Sequence, residues 1–268
     1  MKKIFFLFLL AGTAAHAQEL FVYTEPASNM PKNSLGVRLG NMLMKESGTK
    51  SYEYRVVPEL MWGTGKSLML HADAFISNQD NKIAVDGGSF YAKYRLLSND
   101  DVHAHFRLAA FVRYSFNNSA INNETIDLYG QNSGYQAGVV ATQLLNKVAL
   151  SASTSYLRAM DNGSRNKFPS TQSKNAVNYT FSFGKLLFPK VYTDYKQTNV
   201  NLMLELLGQT LGTNGKSYLD VAPSLQFIIN SQARIDIGYR HQLYSSMYRT
   251  APNGLQLRLE YLFFNAFK

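Results

Sequence analysis

The side chains that could carry chemistry begin with a row of histidine and arginine residues between 102 and 116. His103, His105, Arg107 and Arg113 occupy odd-numbered positions there, so they project from one face of an extended strand. Such a row could bind a metal ion, take part in catalysis or attract anionic solutes. Which of these applies depends on the elements that position the row.

A metal site would need the other histidines close to this row. His71 and Asp73 share one face of an earlier candidate strand, and one further strand separates them from His103 and His105. Neighbouring strands lie about 4.8 Å apart, which places His71 roughly 10 Å from the pair. This separation is too large for shared coordination of one ion, so we expect hydrogen-bonded histidines, no metal and no cofactor.

The residues between these side chains are apolar at every second position. All even-numbered residues from Val102 to Phe116 are apolar or aromatic. A period of two is typical of a strand with one apolar and one polar face. The run exceeds the five or six residues, roughly, of a soluble sandwich strand and suits a tilted strand that crosses a bilayer, which needs about nine to eleven.

The same alternation recurs along the chain. The predicted strands are 33–44, 52–62, 67–77, 87–97, 102–116, 133–144, 147–160, 175–187, 198–210, 217–229, 233–246 and 254–265. Gaps after even-numbered strands are short, and gaps after odd-numbered strands are mostly longer and polar. The exception is the gap at 188–197, which leaves the strand count open by one hairpin.

Short turns on one side and long loops on the other are typical of outer-membrane barrels. Unpaired backbone groups are costly in lipid, so the first strand must pair with the last. We therefore predict an all-β fold: a closed antiparallel up-and-down transmembrane β-barrel of about twelve strands, with both termini in the periplasm. A soluble sandwich or lipocalin-like barrel is the rival, but its strands would be shorter and its polar face would point outward.

The first residues predict export. Lys2 and Lys3 precede an apolar run, and Ala15-His16-Ala17 fits a signal peptidase site, so we assign 1–17 to a signal peptide. We assign 18–32 to an irregular periplasmic segment and 33–268 to an outer-membrane barrel.

Cysteine content and charge exclude several classes of site and partner. The chain has no cysteine, which excludes disulfides and thiolate metal sites. Its net charge is +9, but Lys and Arg are scattered singly, so no nucleic-acid partner is expected. The positive excess fits basic loops or an anion-attracting lumen better.

Three features carry a family resemblance: the alternating strands, the EPASNMP stretch ahead of the first strand, and the aromatic final strand LQLRLEYLFFNAFK. With them the chain resembles Gram-negative outer-membrane β-barrels, especially the transporter-like barrels grouped with meta-pathway phenol-degradation proteins. The final strand resembles the sorting signal read by the barrel assembly machinery, although the chain ends Phe267-Lys268 instead of on the aromatic residue. The resemblance implies passage of small molecules and carries no catalytic residues.

If the apolar faces contact lipid, the alternate residues line the lumen. The candidate lumen-lining residues are Arg38, Arg55, Glu59, His71, Asp73, Lys93, Arg95, His103, His105, Arg107, Arg113, Glu205, Asp236, Arg240, Arg258 and Glu260. In one interpretation opposite charges on neighbouring strands pair and satisfy one another. In the other they line a solute path with a basic bias that favours anions.

The preferred functional hypothesis is a barrel for passive passage of small solutes, with outer-membrane lipid, the assembly machinery and the solutes as partners. The first alternative is a non-conducting structural or partner-binding barrel, and the second is a membrane-embedded enzyme. Barrel lipid hydrolases carry a Ser nucleophile two residues from a His, on one strand face. No His-x-Ser occurs in this chain, so we predict that it is not an enzyme.

Overall fold

The computed structural model describes residues 21–79, 82–101, 104–191 and 196–267. The predicted signal peptide at 1–17, the start of the segment at 18–32, and the side chains of Val102, His103 and Lys268 lie outside the described residues. Within those ranges no helix is long and apolar enough to cross a membrane.

Twelve antiparallel strands form one closed barrel in which each strand pairs with its sequence neighbours and β1 pairs with β12. The strands are β1 (Ser34–Lys45), β2 (Tyr52–Gly63), β3 (Leu68–Ser77), β4 (Ala84–Asp100), β5 (Ala104–Asn117), β6 (Ser133–Leu145), β7 (Val148–Met160), β8 (Asn175–Phe188), β9 (Asn199–Leu211), β10 (Ser217–Ile229), β11 (Ala233–Ser245) and β12 (Asn253–Phe263). The predicted closed barrel of twelve strands is confirmed.

The predicted strand boundaries agree with the observed ones within about two residues, except in β4. There the prediction of 87–97 is too short at both ends, since the strand extends over Ala84–Asp100. A register shift between Arg95 and Leu97 lets pairing with β5 continue beyond the regular alternation from which the prediction was made. The gap between β8 and β9 contains no further strand among its described residues.

The faces of the barrel are reversed relative to a soluble protein. Outward side chains such as Val112, Leu204 and Tyr239 are apolar and 43–54% exposed. Inward side chains include Lys93 and Glu205, which are fully buried. An apolar exterior around a polar interior is the arrangement of a membrane barrel, and the soluble alternative does not fit it.

The two ends of the barrel differ in their connections. At the end that we call the turn end, strands are joined tightly except between β8 and β9. Asn146, Asn230 and Ser231 take positive φ in two of these turns. At the opposite end, the loop end, the connections span 46–51, 78–83, 118–132, 161–174, 212–216 and 246–252. Chain direction places the start of β1 and the end of β12 together at the turn end.

The outward face gives a direct test of lipid exposure. Replacing Leu204, near the middle of β9, with Arg should lower the free energy of unfolding in lipid vesicles by about 2–4 kcal/mol, because a charged group would enter hydrocarbon. Urea titration of the refolded barrel measures the change, with Leu204→Phe as the apolar control. Equal stability of the two variants would contradict a lipid-facing position for this residue.

Candidate functional site

The N-terminal segment, residues 21–33, lies inside the barrel. Phe21 and Val22 pack with Ala149 and Met203 in one buried apolar cluster of the lumen. Met30 contributes to a second cluster nearer the turn end. The segment predicted to be irregular therefore occupies the lumen, a location on which the sequence pattern is silent.

Glu205 of β9 supplies the hydrogen bonds that an extended buried segment lacks. Its carboxylate oxygens accept bonds from the backbone N–H groups of Val22, Tyr23 and Thr24, each at 2.9 Å. They also accept a bond of 2.7 Å from the Thr24 hydroxyl. Bonds to a charged acceptor are stronger than neutral ones and offset the cost of burying Glu205.

Wall cations bind the carbonyl groups of the same segment. The guanidinium group of Arg258 donates to the carbonyl oxygens of Phe21 at 2.6 Å and Val22 at 2.9 Å. The fully buried ammonium group of Lys93 donates to Pro26 at 2.7 Å. Side chains of the barrel wall thus form hydrogen bonds with both the N–H groups and the carbonyl groups of the N-terminal segment.

A band of ion pairs crosses neighbouring strands at the height of this segment. Arg38 of β1 lies directly opposite Glu59 of β2 and Glu260 of β12, and it contacts their carboxylates at 2.8 and 2.7 Å. It also contacts Glu25 of the N-terminal segment at 3.0 Å. Arg234 extends the band from Glu260 at 2.7 Å. Opposite charges on facing strands therefore neutralise one another, as the pairing interpretation proposed.

Three groups in this band are close enough to hold a cation. Single ligand atoms of Glu25, Glu59 and His71 lie within 4.8 Å of one another. Arg38 already bonds to both carboxylates, and Lys93 lies 3.6 Å from Glu25. A divalent ion would meet these two fixed positive charges, so the geometry favours an ion-pair network over a metal centre.

The histidines have separate partners. His71 contacts Glu59 at 3.1 Å, whereas His105 contacts Asp100 at 2.9 Å near the turn end, with its side chain 32% exposed. His103 lies outside the described residues. The structure does not join His71 and His105 in one site.

The third loop, residues 118–132, folds into the barrel from the loop end, and we call it loop L3. The Gln209 side chain accepts from the N–H of Ile126 at 2.9 Å and donates to its carbonyl at 2.8 Å, as a neighbouring strand would. Ile126 and Leu128 enter an apolar cluster with Leu157 and Leu211. Loop L3 is therefore packed against the lumen wall.

Loop L3 also reaches the charged part of the wall. Arg55 of β2 contacts the Asp127 carboxylate and the Tyr129 carbonyl, both at 3.0 Å. The ring of Tyr129 lies 5.1 Å from the Arg113 guanidinium carbon. The apolar residues of this polar-rich loop, Ile121, Ile126 and Leu128, are the sequence signal of the insertion.

A cavity of about 310 Å³ remains between the N-terminal segment and loop L3. Its charged lining consists of Arg38, Arg55, Arg113, Arg240, Arg249 and Arg258 with Glu25, Glu53, Glu59 and Asp127. Six guanidinium groups and four carboxylates line the cavity directly, and Asp73, Asp220 and Asp236 pair with four of these arginines from outside the lining. Positive charge is in local excess where Arg240 and Arg249 share the single carboxylate of Asp220.

The predicted lumen residues are placed as follows. Those buried or nearly buried in the lumen are Arg38, Arg55, Glu59, His71, Asp73, Lys93, Arg107, Arg113, Glu205, Asp236, Arg258 and Glu260, with Arg240 partly buried. Arg95 is half-buried at the turn end, where it donates to the Lys66 carbonyl at 2.7 Å. The pattern missed Glu25, Asp127 and Arg249 because they lie outside the strands and only the folded chain brings them inward.

At the loop end of the barrel, hydrogen bonds through Glu124 connect loop L3 to two other loops, and we call this contact the rim latch. Glu124 accepts bonds from the Lys216 ammonium group at 2.6 Å and from the backbone N–H of Tyr248 at 2.7 Å. The hydrogen bond from Lys216, followed by that from Tyr248, holds the pKa of Glu124 below its ordinary value. One carboxylate thereby ties three loops together.

Comparison with known proteins identifies the fold. An outer membrane channel from Pseudomonas putida F1 is 12% identical and superimposes over 91% of this chain and 100% of that chain, with a TM-score of 0.56. The chain is a transmembrane β-barrel. The KdgM porin (7% identity, 84% and 98% coverage, TM-score 0.49) and the NanC porin (12%, 85% and 98%, 0.48) are also similar. No family model and no curated protein sequence matches the chain.

The role of Glu205 can be tested with a single thiol, since the chain has no cysteine. Ser28→Cys should react slowly with a maleimide, because Ser28 is 2% exposed. Adding Glu205→Ala should speed labelling at least tenfold, since three buried N–H groups would lose their acceptor, each at a cost of about 1–3 kcal/mol. Glu46→Ala at the loop end is the control. Unchanged labelling in the Glu205 variant would contradict the proposed hold on the segment.

Acid should loosen the rim latch. Because the pKa of Glu124 is depressed on folding, its contribution is present above the unfolded pKa of about 4.3 and is lost as pH falls through the folded value. Hydrogen exchange at Tyr248, corrected for intrinsic rates, should therefore show protection at pH 7 that declines below about pH 4. Glu124→Gln should be poorly protected at both pH values. Equal pH dependence in the two proteins would exclude Glu124 as the titrating group.

Proposed function

We propose that this protein is an outer-membrane channel for small solutes that the N-terminal segment closes at rest. The observation that carries the proposal is the charged cavity inside a transmembrane barrel, bounded by residues 21–33 and by loop L3. Small-solute sites are concave and partly apolar, with a few convergent polar groups, and this cavity has that character.

The two boundaries of the cavity suggest different roles. Loop L3 enters an apolar cluster with the wall, so it is suited to be a fixed constriction at the loop end. The N-terminal segment packs in two apolar clusters as well, but its backbone is also held by side-chain bonds from Glu205, Arg258 and Lys93. Such bonds can be exchanged for bonds to water when the segment leaves, so it is the better candidate for the movable part.

The remaining parts of the hypothesis belong to the same proposal. Export by the segment at 1–17 would deliver the chain to the outer membrane, with the turn end and both termini in the periplasm. Recognition of β12 by the barrel assembly machinery would insert it. Kinship with the phenol-degradation barrels is carried by EPASNMP and the final strand. We also propose that the barrel is not an enzyme, because its charged groups pair with each other and with backbone.

A non-conducting barrel that binds a partner through its loops is the second candidate. The closed lumen favours it, because both ends are filled in the described structure. The two candidates differ in whether removal of the N-terminal segment opens a path.

Planar-bilayer recording distinguishes the two candidates. Deletion of residues 21–31 should raise the mean conductance several-fold over the full chain and shift the reversal potential toward anion selectivity, because the basic lumen would become continuous. A heat-modifiable gel shift checks that each barrel is folded. A folded deletion variant with no conductance would rule out the channel and favour the partner-binding barrel.

A further inference from the structure

Two arginines share one carboxylate beside the cavity. The Nη1 and Nη2 atoms of Arg249 each lie 2.7 Å from an oxygen of Asp220, and Nε of Arg240 lies 2.6 Å from Oδ2. Both arginines line the cavity, whereas Asp220 is fully buried and does not. The local excess of positive charge therefore faces the cavity.

Nearby carboxylates compensate this excess only in part, because other cations bind them. Asp127 pairs with Arg55 at 3.0 Å, and Glu124 pairs with Lys216 at 2.6 Å. An anion in the cavity would thus find two guanidinium groups that are only partly neutralised.

The ring of Tyr218 joins the charged and apolar walls of the cavity. Its centroid lies 4.1 Å from the guanidinium carbon of Arg249, close enough for a cation–π contact that holds the arginine flat. The same ring packs in the apolar cluster that contains Ile126 and Leu157, which also line the cavity. A ligand here would meet positive charge on one side and hydrocarbon on the other.

Several cavity-lining side chains have a buried polar atom without a hydrogen-bond partner among the described residues, and two of these atoms lie beside Gly238 and Arg240: the Tyr23 hydroxyl and Oε1 of Gln256. Gln256 is only 5% exposed and lies opposite Gly238 of β11. The Tyr23 ring packs over Gly238, two residues along the inward face from Arg240. Buried polar atoms without partners are uncommon in proteins, which points to a ligand or water at this place.

The Tyr23 hydroxyl is suited to donate to an anion. A tyrosine hydroxyl keeps its proton near neutral pH, because its ordinary pKa is about 10. Tyr23 belongs to the N-terminal segment, whereas Arg240 and Gln256 belong to the wall. A bound anion would therefore contact the segment and the wall together.

We propose that Arg240, Arg249, Tyr23 and Gln256 form a binding site for the carboxylate of a small organic acid with an apolar body. The guanidinium groups bind the carboxylate, the hydroxyl and the amide complete its hydrogen bonds, and the apolar body packs toward Ile126 and Leu157. The inference rests on the proposed channel function and names its solute class. The cavity volume of about 310 Å³ limits the acid to a short one.

Calorimetric titration of the full mature chain in detergent at low salt tests the site without requiring conductance. Hexanoate should bind saturably, and the neutral hexanamide should not, because the amide cannot use the charge of Arg240 and Arg249. Arg249→Gln should weaken hexanoate binding about tenfold or more, and Arg249→Lys should weaken it less, since charge remains but the two-point geometry is lost. Tyr23→Phe should weaken it several-fold.

Arg158→Gln is the matched control, because Arg158 points outward from β7 and donates to the side chain of Asn175, away from the cavity. A heat-modifiable gel shift confirms folding of each variant. Equal binding of hexanoate and hexanamide, or no effect of either Arg249 variant, would overturn the inference. Inorganic phosphate binding as tightly as hexanoate would overturn the requirement for an apolar body.

The outcome separates this inference from the channel function on which it rests. Conductance without hexanoate binding would leave the channel standing and remove the carboxylate site. Saturable, Arg249-dependent hexanoate binding in a barrel that stays non-conducting after deletion of residues 21–31 would support the site and remove the channel.

Discussion

The structure depends on one constraint: backbone N–H and C=O groups have no hydrogen-bond partner in lipid, and inside a narrow lumen they depend on polar side chains of the wall. The pairing of β1 with β12 satisfies the wall completely. Once the wall is closed, its apolar side chains face lipid and its charged side chains face inward. The ion pairs centred on Arg38 follow, because buried charges must be neutralised by their neighbours.

The same constraint explains how two irregular segments are held in the lumen. Neither the N-terminal segment nor loop L3 joins the sheet, so wall side chains replace strand partners. Glu205 accepts hydrogen bonds from three consecutive N–H groups, whereas Arg258 and Lys93 donate to carbonyl oxygens. The side chain of Gln209 bonds to both the N–H and the carbonyl of Ile126. Long polar side chains on the inward face of the strands thus supply the hydrogen-bond partners for the backbone of both segments. The cavity between the segments is the part of the lumen that no backbone fills.

Charge near the cavity is unevenly balanced. Around Arg38 each guanidinium or carboxylate has opposite charges on the facing strands, and the net field is small. Beside Asp220 a loop arginine, Arg249, joins a strand arginine on a single carboxylate. The pairing interpretation therefore describes the middle of the barrel, and the basic interpretation describes its loop end. Both interpretations were based on the alternating pattern of the strands. That pattern cannot distinguish them, because it gives no information on where loop residues such as Arg249 lie.

The sequence by itself determined the wall: the strands, the lengths of all of them but β4, the closed order and the inward phase of the charged residues. It could do so because a period of two and the alternation of turn lengths are local properties. Only the tertiary structure decided what fills the lumen. The contact of Glu25 in EPASNMP with Arg38, the entry of loop L3, and the contact of Arg249 with Asp220 depend on residues distant in sequence. Those contacts follow no periodicity, so only the closed barrel brings them together.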